Sequence, residues 1–279
     1  MTKIKLLLNK ILSYCGYLII KKNKPKDSDN LSPCEFDEWE IITKLPGHIG
    51  ANAFRLFKVL SEILDKKDGT ALEIGVFCGR SLLALSYAFP ESKIVGIDPF
   101  YENLSNSPSD DKQEGDRLKN KSGQQTREQR IDNFNKISSI NNRNKKIELK
   151  FLTQKQFLDG KIMEKFLLVH IDGEHTFKAV VDFLDEAEKV LKENALIIVD
   201  DFFNAGYPGI SEAVYTHKNY KKTIFPIFYG FNKAVFIYKP STRENVEILI
   251  NKLISKYNNK KEYSKKINSN DGSITIQEK

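Results

Sequence analysis

Between Ala71 and Asp201, short unbroken apolar runs alternate with longer stretches whose apolar residues recur every three or four positions. The runs Ala71–Gly75, Lys93–Asp98, Ile147–Phe151, Lys165–Asp172 and Ala195–Asp201 predict five strands. Continuous rather than alternating apolarity is what a parallel sheet requires when helices cover both faces. Between the runs, Ser81–Phe89, Arg127–Ile140, Gln154–Lys165 and Phe177–Leu191 predict helices. The last of these sets Val180, Val181, Leu184, Ala187 and Leu191 along one side. A helix over Ala51–Leu64 precedes the alternation, and one near Ile210–His217 follows it. Residues 223–238 read as two strands joined by the turn Gly230-Phe231-Asn232-Lys233, and Glu244–Ser255 as a final helix. This order predicts an α/β fold: a doubly wound, mostly parallel, seven-stranded Rossmann-like sheet with a C-terminal antiparallel hairpin. Right-handed crossovers force that winding.

The same pattern divides the chain. Residues 1–26 read as a basic amphipathic N-terminal helix, 27–44 as a polar linker, 45–256 as the folded domain and 257–279 as a disordered tail. Residues 101–125 hold almost nothing apolar and read as a long surface loop. Charge sharpens this division. Residues 1–26 carry seven Lys and no acid, and residues 252–279 carry a net +4, so the +7 of the whole chain becomes −4 between them. A basic stripe on the folded face is what nucleic-acid binding requires, and it is missing; no nucleic-acid partner is expected. The N-terminal arm, with Leu6, Leu7, Ile11, Leu18 and Ile19 on one face, fits either packing on protein or peripheral contact with an anionic membrane. Its apolar stretch is too short to span a bilayer, and the lysines that follow argue against a signal peptide. Three unpaired cysteines fit a reducing, cytoplasmic setting. A homo-oligomer stays open.

Ligands of doubly wound sheets bind beyond the carboxyl ends of the strands. The first strand ends in Glu73-Ile-Gly75-Val-Phe77-Cys-Gly79-Arg80-Ser81, a turn whose glycines allow close backbone approach to a ligand. Phe77 and Arg80 stand where a dinucleotide fingerprint has glycine. The second strand ends in Asp98, suited to a ribose diol. Together these favour S-adenosylmethionine over NAD. The fourth and fifth strands end in Asp172-Gly-Glu174-His175 and Asp200-Asp201, acids that would crowd across one cleft. Without a counter-charge they would repel, so either a divalent cation such as Mg²⁺ binds there or the acids cap helices.

ALEIGVFCGRS, VGIDPF, HIDGEH and VDDFFNAGYPGI together resemble the class I small-molecule O-methyltransferases, over roughly residues 45–240. The resemblance is to the branch with macrolide-sugar and aminocoumarin-sugar methyltransferases and cephalosporin-hydroxylase-like proteins. It implies S-adenosylmethionine held by Glu73, Gly75, Gly79, Ser81 and Asp98. It also implies metal ligands at Asp172, Asp200 and Asp201, and a general base at Glu174, with His175 an equal candidate. Asp200-Asp201 replaces the Asp-Asn of catechol-type relatives, and Lys192-Glu193-Asn194 replaces a Gly-Gly pair. The implied reaction is metal-assisted methyl transfer to a hydroxyl of a sugar or other small polyol. Two alternatives stand beside it: an NAD(P)-binding oxidoreductase on a similar sheet, and a non-catalytic partner of a glycan-assembly system. His175 could instead cap the next helix, His170 reads as a satisfied core histidine, and His48 is expected to stay out of the cleft.

Overall fold

The computed structural model describes residues 31–64, 69–100, 125–257, 263–267 and 273–278. These belong to one unit, Leu31–Lys279. The basic N-terminal helix read over residues 1–26 and nearly all of the 101–125 loop lie outside the described residues.

The five expected parallel strands are present: β1 Thr70–Ile74, β2 Lys93–Ile97, β3 Ile147–Lys150, β4 Phe166–Ile171 and β5 Leu191–Val199. β6 Ile224–Gly230 and β7 Lys233–Tyr238 form the expected hairpin. Phe231 and Asn232, the two loop residues, both have positive φ (55° and 63°), the twist that a tight hairpin needs. β7 pairs antiparallel with β5, so the turn sits beside the end of β5.

Among the described residues the sheet has nine strands rather than seven, in the order β3-β2-β1-β4-β5-β7-β6-β9-β8. The extra pair is β8 Tyr263–Ile267 and β9 Ile274–Glu278, in the segment read as a disordered tail. β9 adds in parallel to β6 and buries Ile274 and Ile276, so two apolar side chains on an existing edge suffice where composition predicted disorder.

A second correction concerns the linker read over residues 27–44, which contains helix α1 Pro33–Ile42. Ser32 accepts from the Glu35 amide while the Glu35 carboxylate accepts from the Ser32 amide at 2.7 Å, a capping box with Pro33 at the first helical position. Trp39 then stacks on Phe54 of α2 (Ala51–Ile63), with ring centroids 5.8 Å apart, and docks α1 on the domain.

Both sheet faces are covered, as continuous apolar strands demand. Alternate strand residues (Ala71, Ile94, Leu168, Ile198) join the layer of α2, α3 Arg80–Ala88 and the late helix Arg243–Tyr257. Their neighbours (Leu72, Val95, Val169, Ile197) join the layer containing helices Phe177–Val190 and Pro208–Thr216. The strand order reverses between β1 and β4, and a crevice opens beyond their carboxyl ends.

Candidate active site

That crevice is a cavity of about 300 Å³, at the lower end of the range for ligand pockets. Its wall on the β1 side is the Gly75 turn. Gly75 has φ +88°, and a Cβ there would lie 2.0 Å from the Asp172 carbonyl oxygen. Gly79, at φ +86°, is pressed against the Phe134 ring, where a Cβ would come within 2.1 Å. Both glycines therefore serve the fold: one lets β1 meet β4, the other lets α3 start against its neighbour.

Asp98 closes this turn. Its Oδ2 accepts from the Val76 and Phe77 amides at 2.9 and 2.8 Å, and its Oδ1 from Phe100 at 2.6 Å. Three donors fix the carboxylate at the cavity wall, and its remaining lone pairs can still take ribose hydroxyls. Gly75, Ser81 and Asp98 line the cavity, as expected of cofactor contacts. Glu73 and Gly79 do not; Glu73 is fully buried beneath the wall.

The acids of β4 and β5 converge as the sequence anticipates, but they meet cations. Lys233, at the foot of the hairpin turn, is 2% exposed and ion-pairs with Asp200. Its Nζ also lies 3.2 Å from His170 Nε2, while His170 Nδ1 lies 2.8 Å from Glu73 Oε1. This buried row, Asp200–Lys233–His170–Glu73, satisfies the core histidine. Burial and the Lys233 charge oppose protonation of His170, but the Asp200 and Glu73 carboxylates prevail and raise its pKa to about 9. Burial pushes the Glu73 carboxyl above its usual range, and the imidazole opposes that shift. Because His170 binds its proton more tightly when folded, its stabilisation is fully present below pH 6.5 and is lost as pH rises toward 9. Thermal melts near pH 6 and pH 9 should show this decline in wild type, with a flatter profile in His170→Asn; identical profiles would refute it.

A second group faces the cavity. His175 Nε2 lies 3.3 Å from Asp201 Oδ2 and 3.6 Å from Asp172 Oδ1, and its ring stacks on Tyr207 at 4.5 Å. Asp201 is held in turn by Asn204, at 3.1 Å, and by Asn232 of the turn. Restricted solvation and the Asp200 charge raise the Asp172 carboxyl above its usual range. His175 is not the helix cap: Thr176 takes that place, accepting from Ala179 at 3.2 Å. Glu174 lines the cavity from an exposed position, and His48 also lines it, contrary to expectation.

As they stand, these donors do not suit a divalent cation. Asp200 gives one oxygen to Lys233 and the other to the Asp201 amide at 2.7 Å; Asp201 Oδ1 is taken by two asparagines. A doubly charged ion about 4 Å from the Lys233 ammonium would be opposed by roughly 8 kcal/mol at an effective permittivity of 20. Glu73, His170 and Asp172 place one ligand atom each within 4.8 Å of one another, but His170 there faces the same ammonium. The sequence patterns alone do not single out Lys233 or Asn232. Their only signal was a lysine and an asparagine closing a tight turn beside two acids.

Residues 72–202 match the family described as "Methyltransferase domain". Among solved structures, the chain is similar to the O-methyltransferase NovP at 16% identity and TM-score 0.50, covering 68% of this chain and 81% of that one. It is also similar to the methyltransferase PaMTH1 of Podospora anserina, bound to S-adenosylhomocysteine, at 14% identity and TM-score 0.52, covering 80% and 98%. At such identities the likeness concerns the fold. No curated protein matches the sequence. Among the described residues, no helix is long and apolar enough to cross a membrane. The family match falls on the segment that builds the Gly75 turn, the Asp98 clasp and the Asp200–Asp201 strand end, so residues 72–202 resemble a methyltransferase domain, and this likeness favours an enzyme that uses S-adenosylmethionine over the oxidoreductase and non-catalytic readings.

Proposed function

We propose that the enzyme methylates a hydroxyl oxygen of a small, hydroxyl-rich acceptor such as a sugar, with His175 as general base. The observation that carries this reading is the imidazole held at the cavity by Asp172 and Asp201 and stacked on Tyr207. A base oriented by carboxylates is what proton removal from a hydroxyl requires. Glu174, more exposed, is the weaker candidate.

Gly75, Ser81 and Asp98 would hold S-adenosylmethionine, whose sulfonium would supply the methyl group for the acceptor oxygen and leave as a thioether. The hydroxyl proton goes to the His175 imidazole, and Asp172 and Asp201, which face its Nε2, stabilise the imidazolium that results. Asp172, Glu174, Asp201, His48 and Asn232 give the cavity a polar end, which favours an acceptor with several hydroxyls over a flat aromatic one. No step in this reading needs a metal ion.

Calorimetric titration of S-adenosylhomocysteine into the full chain, with NADH as control, tests the cofactor half. Micromolar binding is expected, weakened about tenfold or more in Asp98→Ala. NADH binding in its place would sink the reading. Methyl transfer to a panel of free and nucleotide-linked sugars tests the acceptor half.

A further inference from the structure

We propose that Lys233 is the resident cation of this site: its ammonium holds the acidic end of the cavity where the sequence calls for a divalent ion, so the enzyme works without added metal. The turnover part of this inference rests on the methyltransferase reading above; the binding part does not.

A lysine 2% exposed persists only when its charge is matched, and Asp200 matches it while the Phe57 ring lies 6.0 Å from its Nζ. Its place is set by backbone rather than by a flexible arm. The two-residue turn at Phe231-Asn232 starts β7 at Lys233, and the Phe202 amide donates to the Asn232 carbonyl at 3.0 Å, which fastens the turn to the end of β5. The ammonium is therefore delivered to Asp200 as surely as a metal would be. It divides the acids into two sets: Asp200 and Glu73 belong to the buried row with Lys233 and His170, while Asp172 and Asp201 are left to address His175. Lys233 is thus a positioning residue. It neutralises one acid so that the other two orient the base.

Electron paramagnetic resonance of Mn²⁺ mixed with the full-length protein gives the deciding readout. Wild type is expected to leave Mn²⁺ free at micromolar protein, and to bind S-adenosylhomocysteine equally well with EDTA or with Mg²⁺. Lys233→Ala should uncover a Mn²⁺ site with affinity at least about tenfold tighter than wild type, and Lys233→Arg should restore wild-type behaviour. Stoichiometric Mn²⁺ binding by wild type overturns the proposal, as does turnover lost to EDTA and regained with Mg²⁺. Should Lys233→Ala fail to fold, the wild-type measurement still decides. Should S-adenosylhomocysteine fail to bind under every condition, the methyltransferase reading fails, and the Mn²⁺ spectrum judges Lys233 independently.

Discussion

His175→Ala is expected to lower kcat by about 100- to 10,000-fold while leaving the Kd for S-adenosylhomocysteine within about twofold of wild type. The range is what a positioned general base contributes. The split follows from geometry, because His175 addresses Asp172 and Asp201 at the β4–β5 side, whereas the Gly75 turn and Asp98 form the β1–β2 side. Glu174→Gln is the comparison: Glu174 lines the acceptor end of the cavity, so its substitution should raise KM for the acceptor and lower kcat by less than about tenfold. Steady-state kinetics with any accepted hydroxyl compound, together with calorimetry, gives both numbers. If the Glu174 variant lost turnover and the His175 variant kept it, the base would be reassigned.

Gly75→Ala is expected to be the most damaging glycine-to-alanine change among the described glycines. The residue's φ of +88° lies in the left-handed region, which costs an L-side chain about 1–2 kcal/mol. The added Cβ would meet the Asp172 carbonyl oxygen at 2.0 Å, and backbone, unlike a flexible side chain, cannot step aside. Such overpacking costs a further 1–3 kcal/mol or so. Together these predict roughly 3 kcal/mol and a Tm lower by about 10 °C. The strand ends that would have to separate also carry the site, so S-adenosylhomocysteine affinity should fall in parallel. A melt unchanged by the substitution would show that β1 and β4 do not meet as closely as described.

How far the sequence foretold this molecule depended on the range of the interactions involved. Strands β1 to β5 were legible because a strand buried on both faces must be continuously apolar, a property written in consecutive residues. The convergence of Asp172, Asp200 and Asp201 was legible because winding rules put β4 beside β5. The identity of their counter-charge was not, since Lys233 lies 63 residues from His170 and opens a strand that otherwise reads as plain core. Helix α1 was hidden by the very residues that start it: Ser32 and Pro33 belong equally to linkers and to helix caps, and only Glu35 separates the two readings. β9 was missed because its alternation, Ile274 and Ile276 about Thr275, is brief and set among polar neighbours. The glycines were noticed for a ligand's sake, and they prove to serve the contact of strand with strand and of helix with ring.

Arg80, out of place for a dinucleotide fingerprint, has a mechanical consequence. From the first turn of α3 its guanidinium donates to the carbonyls of Leu45, Gly47 and Thr43, at 2.6, 2.8 and 3.4 Å. Those residues lead into the Pro46–Gly50 wall of the cavity. One rivet thus joins the wall contributed by the leading segment to the helix that the Gly75–Gly79 turn launches. Strain applied at either place is carried to the other without crossing the sheet, so the two sides of the mouth behave as a single stiff jaw.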